Sequence, residues 1–362
     1  MFLDIKRRIG AIVAVFFSVV LVSNAQVLKV GVVGLSHDHA HGLMQQYKRG
    51  EVVILGIAEP DQQLIERYKK SYDLAKVRFF KNVTELLANT SPDAVLAYNA
   101  ISEHIEVVEA CAPKKISVMV EKPLATSVKD AERMRDLAKQ YNVHVLTNYE
   151  TTWYASNQQL FDKVKSDKSI GEIRKMVVRD GHKGPKEIGC SKEFLAWLTD
   201  PVKNGGGALT DFGCYGANLM TWLMDGRVPL SVTAITKHIK PDVYPNVDDE
   251  ATILVDYGDA TGIIEASWNW PYGIKAIEVF GLNGSLNALN GNTLLERKNE
   301  GYEGVITRAP KFQSNLVYLA SVLRGETQPG QDLSSLSNNL IVVRILEAAG
   351  QSAREGRKIA LK

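Results

Sequence analysis

The sequence predicts two domains: an α/β domain with a Rossmann-type, doubly wound parallel sheet, then an α+β domain with a mostly antiparallel open sheet. A chain of 362 residues is long enough to form two domains. Up to about residue 150, short apolar runs alternate with helical segments, as βαβ units require. Beyond that point the apolar runs follow one another with turns between them, which is typical of an antiparallel sheet.

The first 25 residues are expected to be a secretory signal peptide. Lys6, Arg7 and Arg8 form a basic segment, residues 9–22 carry no charge, and Ser23-Asn24-Ala25 places small residues before a cleavage site. An uncleaved anchor is the alternative, and Arg7-Arg8 leaves twin-arginine export open. The expected location is therefore exported, either periplasmic or extracellular.

The remaining chain has a balanced charge. Residues 1–25 hold three of the 43 basic and one of the 41 acidic residues, so 40 of each remain. A neutral chain has no electrostatic footprint for nucleic acid or for a membrane surface. Three cysteines without a CxxC pair give no thiolate metal site, although Cys190 and Cys214 could pair in an exported protein.

Residues 26–150 are assigned to a dinucleotide-binding domain. Its predicted strands are Val27 to Val33, Val52 to Ala58, Ala94 to Tyr98, Ile116 to Val120 and Val143 to Thr147. Its predicted helices are Ala40 to Arg49, Gln62 to Tyr72, His104 to Ala110 and Val128 to Gln140.

Residues 151–362 are assigned to a domain for substrate binding and oligomerisation. A helix from Asn157 to Lys165 precedes strands Ile173 to Arg179, Ser231 to His238, Ala251 to Asp256, Gly262 to Trp268 and Ile274 to Phe280. Two helices, Ser314 to Leu323 and Ser337 to Glu355, close the chain. Trp268, Trp270 and Tyr272 are core residues or, alternatively, part of an interface.

The turn after the first strand carries an altered dinucleotide fingerprint. Gly34 holds the tight-turn position of GxGxxG, but Ser36 and His39 replace the second and third glycines. The helix that follows still offers N–H groups to a phosphate, and the Ser36 hydroxyl could add a donor. Glu59, after the second strand, is placed to accept from a ribose 2′-hydroxyl, which favours NAD over NADP; the alternative is a solvated turn carboxylate.

Histidines in the same turn allow a second interpretation. His37 and His39 form an HxH pair after a first strand, a spacing that can hold zinc. No second acidic cluster accompanies them, so the sequence favours histidines that cap the helix and line a cofactor cleft, with no metal.

Two further stretches carry chemistry-bearing side chains. Lys122 follows the strand Ile116 to Val120 in Glu121-Lys122-Pro123, where ligands of a parallel sheet bind. The triple glycine 205–207 leads into a helix in which Asp211 and Tyr215, four residues apart, are expected to share one face. A carboxylate and a phenol can bind a polyol and move its proton, although Tyr215 could instead be a core residue.

These motifs, in this order, resemble the glucose–fructose oxidoreductase, inositol dehydrogenase and rhizopine catabolism (Gfo/Idh/MocA) superfamily. The resemblance covers nearly all of the chain after residue 25 and includes Ser267-Trp268 and the stretch 281–286 (GLNGSL). It implies that Lys122, Asp211 and Tyr215 are catalytic, with tyrosine where many members have histidine. It implies that NAD binds through the following residues: Gly34, Ser36, His37, Glu59, Asn99, His104, Glu121 and Lys122.

The implied reaction is hydride transfer between a sugar or polyol carbon and the nicotinamide. Tyr215 or Lys122 would take the hydroxyl proton, with the lysine pKa lowered by the cationic ring, while Asp211 orients a hydroxyl. Expected partners are a small sugar or polyol and a second copy of the chain, in a homodimer or homotetramer. Two other functions stay open: an NAD-dependent glycosidase that works by transient oxidation and elimination, and a non-catalytic carbohydrate-binding relative.

Overall fold

The computed structural model describes residues 27–361. The predicted signal peptide, residues 1–25, lies outside the described residues. Within the described part of the chain, no helix combines the length and the apolar composition that crossing a membrane requires.

The first domain is a six-stranded parallel sheet in the order β3-β2-β1-β4-β5-β6. The order reverses between β1 and β4, and such a switch point is where open α/β sheets bind ligands. Its strands are β1 (Leu28–Val33), β2 (Val52–Ala58), β3 (Arg78–Phe80), β4 (Ala94–Ala97), β5 (Ser117–Glu121) and β6 (Val145–Asn148). Its helices are α1 (Ala40–Lys48), α2 (Gln62–Ser71), α3 (Val83–Asn89), α4 (His104–Cys111) and α5 (Val128–Tyr141).

Helices cover both faces of this sheet, which explains why its strands read as near-continuous apolar runs. Every residue of β4 and of β5 is buried. The sequence does not predict β3 and α3, because elements of three and seven residues are too short to show a clear periodicity.

The second domain is a nine-stranded sheet in the order β14-β13-β12-β11-β7-β10-β9-β8-β15. Its neighbours pair antiparallel except β7 and β10, which run parallel. The strands are β7 (Ile173–Gly181), β8 (Ser231–Lys237), β9 (Glu250–Asp256), β10 (Thr261–Ser267), β11 (Ile274–Gly281), β12 (Ser285–Ala288), β13 (Leu294–Arg297), β14 (Glu303–Val305) and β15 (Ile359–Ala360). The helices are α6 (Ala155–Lys165), α7 (Lys192–Leu198), α8 (Ala208–Asp211) and α9 (Gly213–Leu223).

Two C-terminal helices join the domains. Helix α10 (Asn315–Leu323) packs its apolar face into the core of the first sheet, on the side of α1. Helix α11 (Leu336–Glu355) contacts α9 and β8 of the second domain and α5 of the first. The chain therefore returns to its first domain after building the second, and these helices connect the two domains.

Candidate active site

Lys122 lies where expected, immediately after β5 and before a cis bond to Pro123. Its side chain is 6 % exposed. The ammonium forms an ion pair with the Asp211 carboxylate and also donates to the Asp211 backbone oxygen at 3.0 Å. The two strongest motifs of the sequence, 89 residues apart, therefore meet in one buried pair.

The electrostatics of this pair follow from its burial and its opposite charges. Burial by itself lowers the pKa of Lys122, but the Asp211 carboxylate outweighs it and the pKa is raised. Burial likewise raises the pKa of Asp211, yet the Lys122 ammonium brings the net pKa below its usual value. The expected lowering of the Lys122 pKa depends on a cationic nicotinamide beside the lysine, and it stays a prediction.

Asp211 and Tyr215 do not share one helix, contrary to the sequence prediction. Helix α8 ends at Asp211 and α9 begins at Gly213, with Phe212 between them. Both residues still face Lys122, whose Nζ lies 5.1 Å from the centre of the Tyr215 ring. Tyr215 is 1 % exposed, so its phenol is a buried neighbour of the pair.

Trp268 holds Asp211 from the other side. Its indole Nε1 donates to Asp211 Oδ2 at 2.9 Å, and the residue is fully buried. Of the aromatic group that the sequence singled out, Trp268 is therefore a core residue beside the site, whereas Tyr272 is 66 % exposed. The three cysteines are free thiols, so Cys190 and Cys214 do not pair.

A pocket of about 490 Å³, lined by both polar and apolar groups, opens beside this pair and was not located by sequence reasoning. His182, Lys275, Tyr154, Phe212 and Tyr272 are among its walls. Lys275 forms an ion pair with Glu150, its Nζ lies 3.5 Å from the Tyr215 hydroxyl, and Tyr154 donates to Glu150 at 2.6 Å. The one available signal was the position of His182, a polar residue just after the end of β7.

Asp180 is a second group that the sequence did not identify. It lies opposite Lys275 in the β7–β11 ladder and is 1 % exposed, and its Oδ1 has no hydrogen-bond partner. Burial raises the pKa of this carboxyl well above its ordinary value. Asp180 is therefore a buried carboxyl that lies next to the cations of the site, Lys275 and Lys122.

The turn after β1 keeps its first glycine for a steric reason. Gly34 has φ +78°, and a Cβ there would meet the Asn99 backbone nitrogen at 2.7 Å. Several amides of the turn are already bonded: Leu35 N–H to Glu59, His37 N–H to the Tyr98 carbonyl, and His39 N–H to His37 Nδ1. Ser36 is half-buried in this turn.

Glu59 is a structural acceptor in this turn. It is 5 % exposed, and its two oxygens accept from the amides of Leu35 at 2.8 Å and Asp61 at 2.9 Å. The alternative of a solvated turn carboxylate is therefore wrong. Its contact with a ribose stays a prediction.

Three buried polar atoms around the turn have no hydrogen-bond partner: His37 Nε2, Asn99 Oδ1 and His104 Nε2. His37 packs against Phe194 of α7, with ring centres 4.6 Å apart. His104 Nδ1 lies 3.1 Å from the Leu124 carbonyl, and burial lowers the pKa of His104 to about 4. Buried polar groups are normally paired, so these donors and acceptors fit the hydroxyl and amide groups of a dinucleotide.

A larger cavity, of about 590 Å³, lies at the carboxyl ends of β4, β5 and β6 beside α1. Tyr98, Glu121 and Asn148 at the strand ends and His39 at the start of α1 are among its walls. This is the edge of the sheet at which a parallel α/β fold binds its ligand.

His37, His39 and Glu121 also place three ligand atoms within 4.8 Å of one another. Hydrogen bonds already engage these groups, because His39 Nδ1 lies 2.9 Å from Glu121 Oε2 and His37 Nδ1 accepts the His39 N–H at 3.1 Å. The expectation of no metal stays a prediction.

Comparison with known proteins identifies the family. Residues 28–149 match the model described as "Oxidoreductase family, NAD-binding Rossmann fold", and residues 159–287 match "GFO/IDH/MocA C-terminal domain". The chain belongs to the GFO/IDH/MocA oxidoreductases, and its cofactor is NAD.

Individual relatives have a low sequence identity to this chain, but they match most of its length. Myo-inositol 2-dehydrogenase of Thermotoga maritima is 23% identical over 269 residues, 73% of this chain and 75% of that protein. The scyllo-inositol 2-dehydrogenase (NAD(+)) of Bacillus subtilis is 23% identical over 356 residues, 92% of this chain and 95% of that protein. The structure of aldose-aldose oxidoreductase from Caulobacter crescentus, 21% identical, superposes with a TM-score of 0.76 over 92% of this chain and 99% of that chain.

Proposed function

We propose that this protein, after export, oxidises a hydroxyl group of a sugar or polyol by hydride transfer. The observation that carries the proposal is the buried Lys122–Asp211 pair, which lies beside the pocket of about 490 Å³. The pocket combines Lys275, His182 and Asn290 with the exposed ring of Tyr272, a mixture of polar and aromatic groups suited to a polyol. Relatives named for inositols and for aldoses support this substrate class.

Lys122 and Asp211 have separate tasks in this proposal. When NAD is bound, it takes up or returns the hydride. Lys122, an ammonium in this structure, donates a proton to the oxygen when a carbonyl is reduced. In the opposite direction it takes the hydroxyl proton only after its own proton has passed to solvent. Asp211 holds the Lys122 ammonium in place, and Trp268 fixes the Asp211 carboxylate.

One observation favours a second candidate, the glycosidase that oxidises its sugar transiently and eliminates the aglycone. Such a reaction needs an acid to protonate the leaving group, and Asp180 is a buried carboxyl whose pKa is raised well above its ordinary value. A purely carbohydrate-binding role is disfavoured, because a buried ion pair is costly to keep without a use.

The test uses the mature protein, dialysed exhaustively and assayed both with and without added NAD on inositols, aldose pairs and nitrophenyl glycosides. We expect reduced nicotinamide to form on a polyol or aldose, and Lys122→Met to lower that rate by about 100-fold or more. Lys129→Met, an exposed lysine of α5, is the matched control and should keep the wild-type rate. Full turnover in Lys122→Met would contradict the assignment, and nitrophenol release would favour the glycosidase.

A further inference from the structure

His39 and Glu121 form a carboxylate–imidazole pair on the wall of the larger cavity. His39 Nδ1 lies 2.9 Å from Glu121 Oε2, and the two side chains are 40% and 2% exposed. The other carboxylate oxygen accepts from Asn148 Nδ2 at 2.8 Å, and Asn148 Oδ1 accepts from Trp153 Nε1 at 3.1 Å. Asn148 therefore holds the Glu121 carboxylate through the oxygen that does not contact His39, while His39 faces the cavity.

The hydrogen bonds assign the tautomer of His39. Burial raises the pKa of Glu121, but His39 and the hydrogen bond from Asn148 bring it below its ordinary value, so Glu121 is a carboxylate and can only accept. The proton of a neutral His39 is thus on Nδ1, which leaves the Nε2 lone pair as the free acceptor. An imidazole oriented this way by a buried carboxylate is the arrangement of a general base.

The residues assigned to hydride transfer need such a group. Oxidation of a hydroxyl to a carbonyl releases one proton, but Lys122, Asp211 and Tyr215 are each at most 5 % exposed. Lys122 is moreover already protonated in its contact with Asp211. Glu121 directly precedes Lys122 in the chain, and its partner His39 is open to the cavity on one side.

We infer that His39 and Glu121 are a proton-exchange pair, which passes the proton released by substrate oxidation to solvent and returns it in the reverse reaction. The inference rests on the proposed function. In the forward direction His39 Nε2 accepts the proton through water in the cavity, the Glu121 carboxylate balances the imidazolium charge, and Nε2 then gives the proton to bulk water. A cavity of about 590 Å³ has room for several waters.

Other groups near His39 do not take this role. His37, with its ring centre 4.3 Å from that of His39, is 1 % exposed, and its Nδ1 is occupied. Asp38 and Glu150 also line the cavity, but Asp38 accepts from the Ser191 amide and Glu150 pairs with Lys275.

The first measurement is the tautomer of His39 in the NAD-loaded protein, by nitrogen-15 NMR of labelled histidine. The resonances are assigned by their loss in His39→Gln. We expect a proton on Nδ1 and none on Nε2. A proton on Nε2 would overturn the inference, as would stoichiometric Zn²⁺ that shifts His37 and His39 together, because that would make the cluster a metal site.

The second measurement follows hydride transfer by nicotinamide absorbance and proton release by an indicator dye after rapid mixing with the substrate polyol. In His39→Gln we expect proton release to lag behind hydride transfer by about tenfold or more, and added imidazole to restore it. His41→Gln, one half-turn further along α1 and bonded to Tyr72, is the control and should show no lag.

The two proposals fail in different ways. If the wild-type protein transfers no hydride, the proposed function is wrong. If hydride transfer occurs and His39→Gln releases its proton without a lag, only the present inference is wrong. If His39→Gln binds NAD more weakly in titration while proton release and hydride transfer stay simultaneous, His39 is a cofactor-binding residue. That result would also overturn the present inference.

Discussion

Buried histidines beside the first turn make the stability of this protein depend on pH. His104 is fully buried and neutral, and burial lowers its pKa from 6.5 to about 4. The unfolded chain binds a proton at this residue near pH 6.5, whereas the folded chain does so only near pH 4. Folding stability due to His104 is therefore present above pH 6.5 and is lost as the pH falls from 6.5 to 4.

We expect His104 to account for a loss of about 2 kcal/mol in the free energy of unfolding between pH 7 and pH 5. His37, whose pKa burial also lowers, adds a loss of the same sign. The measurement is urea unfolding at both pH values for the wild type and for His104→Asn, whose amide can still donate to Leu124. If the wild type and His104→Asn lose the same free energy of unfolding between pH 7 and pH 5, this account is contradicted.

The sequence motifs identified some residues of the site. They did not identify the residues that contact the site from positions far away in the sequence. Lys122 was visible because it ends an apolar run, and Asp211 because it follows three glycines. Lys275 meets Glu150 across 125 positions, and Trp268 meets Asp211 across 57. No local pattern encodes such contacts, since they arise only when the second sheet takes up its strand order.

The turn between β1 and α1 gives a test of why one fingerprint glycine remains. Gly34 and Gly50 have nearly equal positive φ angles, +78° and +76°. A Cβ at Gly50 would meet nothing within 4 Å, whereas a Cβ at Gly34 would meet the backbone of Asn99. The two positions therefore separate left-handed strain, which both share, from collision with the neighbouring strand.

We expect Gly50→Ala to cost about 1 kcal/mol of unfolding free energy, for the left-handed conformation alone. Gly34→Ala should cost about 2 kcal/mol more, because backbone atoms cannot move aside as a flexible side chain can. Denaturant unfolding of both variants checks this. Equal losses would show that β4 shifts freely and that Gly34 is kept for another reason.

The periodicity of the elements fixed the fold class but not the pairing of its strands. The six parallel strands follow from alternating apolar runs and helices. The parallel contact of β7 with β10 inside an antiparallel sheet does not follow from them, because β8 and β9 lie between these two strands in the sequence. Likewise α10 looks like part of the second domain in sequence, yet its apolar face packs in the core of the first.

The whole molecule combines an NAD site with an expected signal peptide, and that combination constrains how it can work. Outside the cytoplasm there is no dependable pool of free nicotinamide cofactor. An exported enzyme of this kind has to retain its NAD and restore it in the same site. Burial of the turn under α7 supports retention, because Ser191 and Phe194 of the second domain contact Asp38 and His37 there.

We therefore expect the full chain, expressed in a bacterium, to reach the periplasm cleaved after Ala25 with NAD still bound after exhaustive dialysis. A chain that lacks residues 1–25 is the control and should stay in the cytoplasm. Mass spectrometry of the periplasmic protein gives its N-terminus and its bound ligand, and light scattering of the same sample tests the expected dimer or tetramer. Periplasmic protein that carries no NAD, and that turns over only while added NAD is consumed, would show that the cofactor is an ordinary co-substrate.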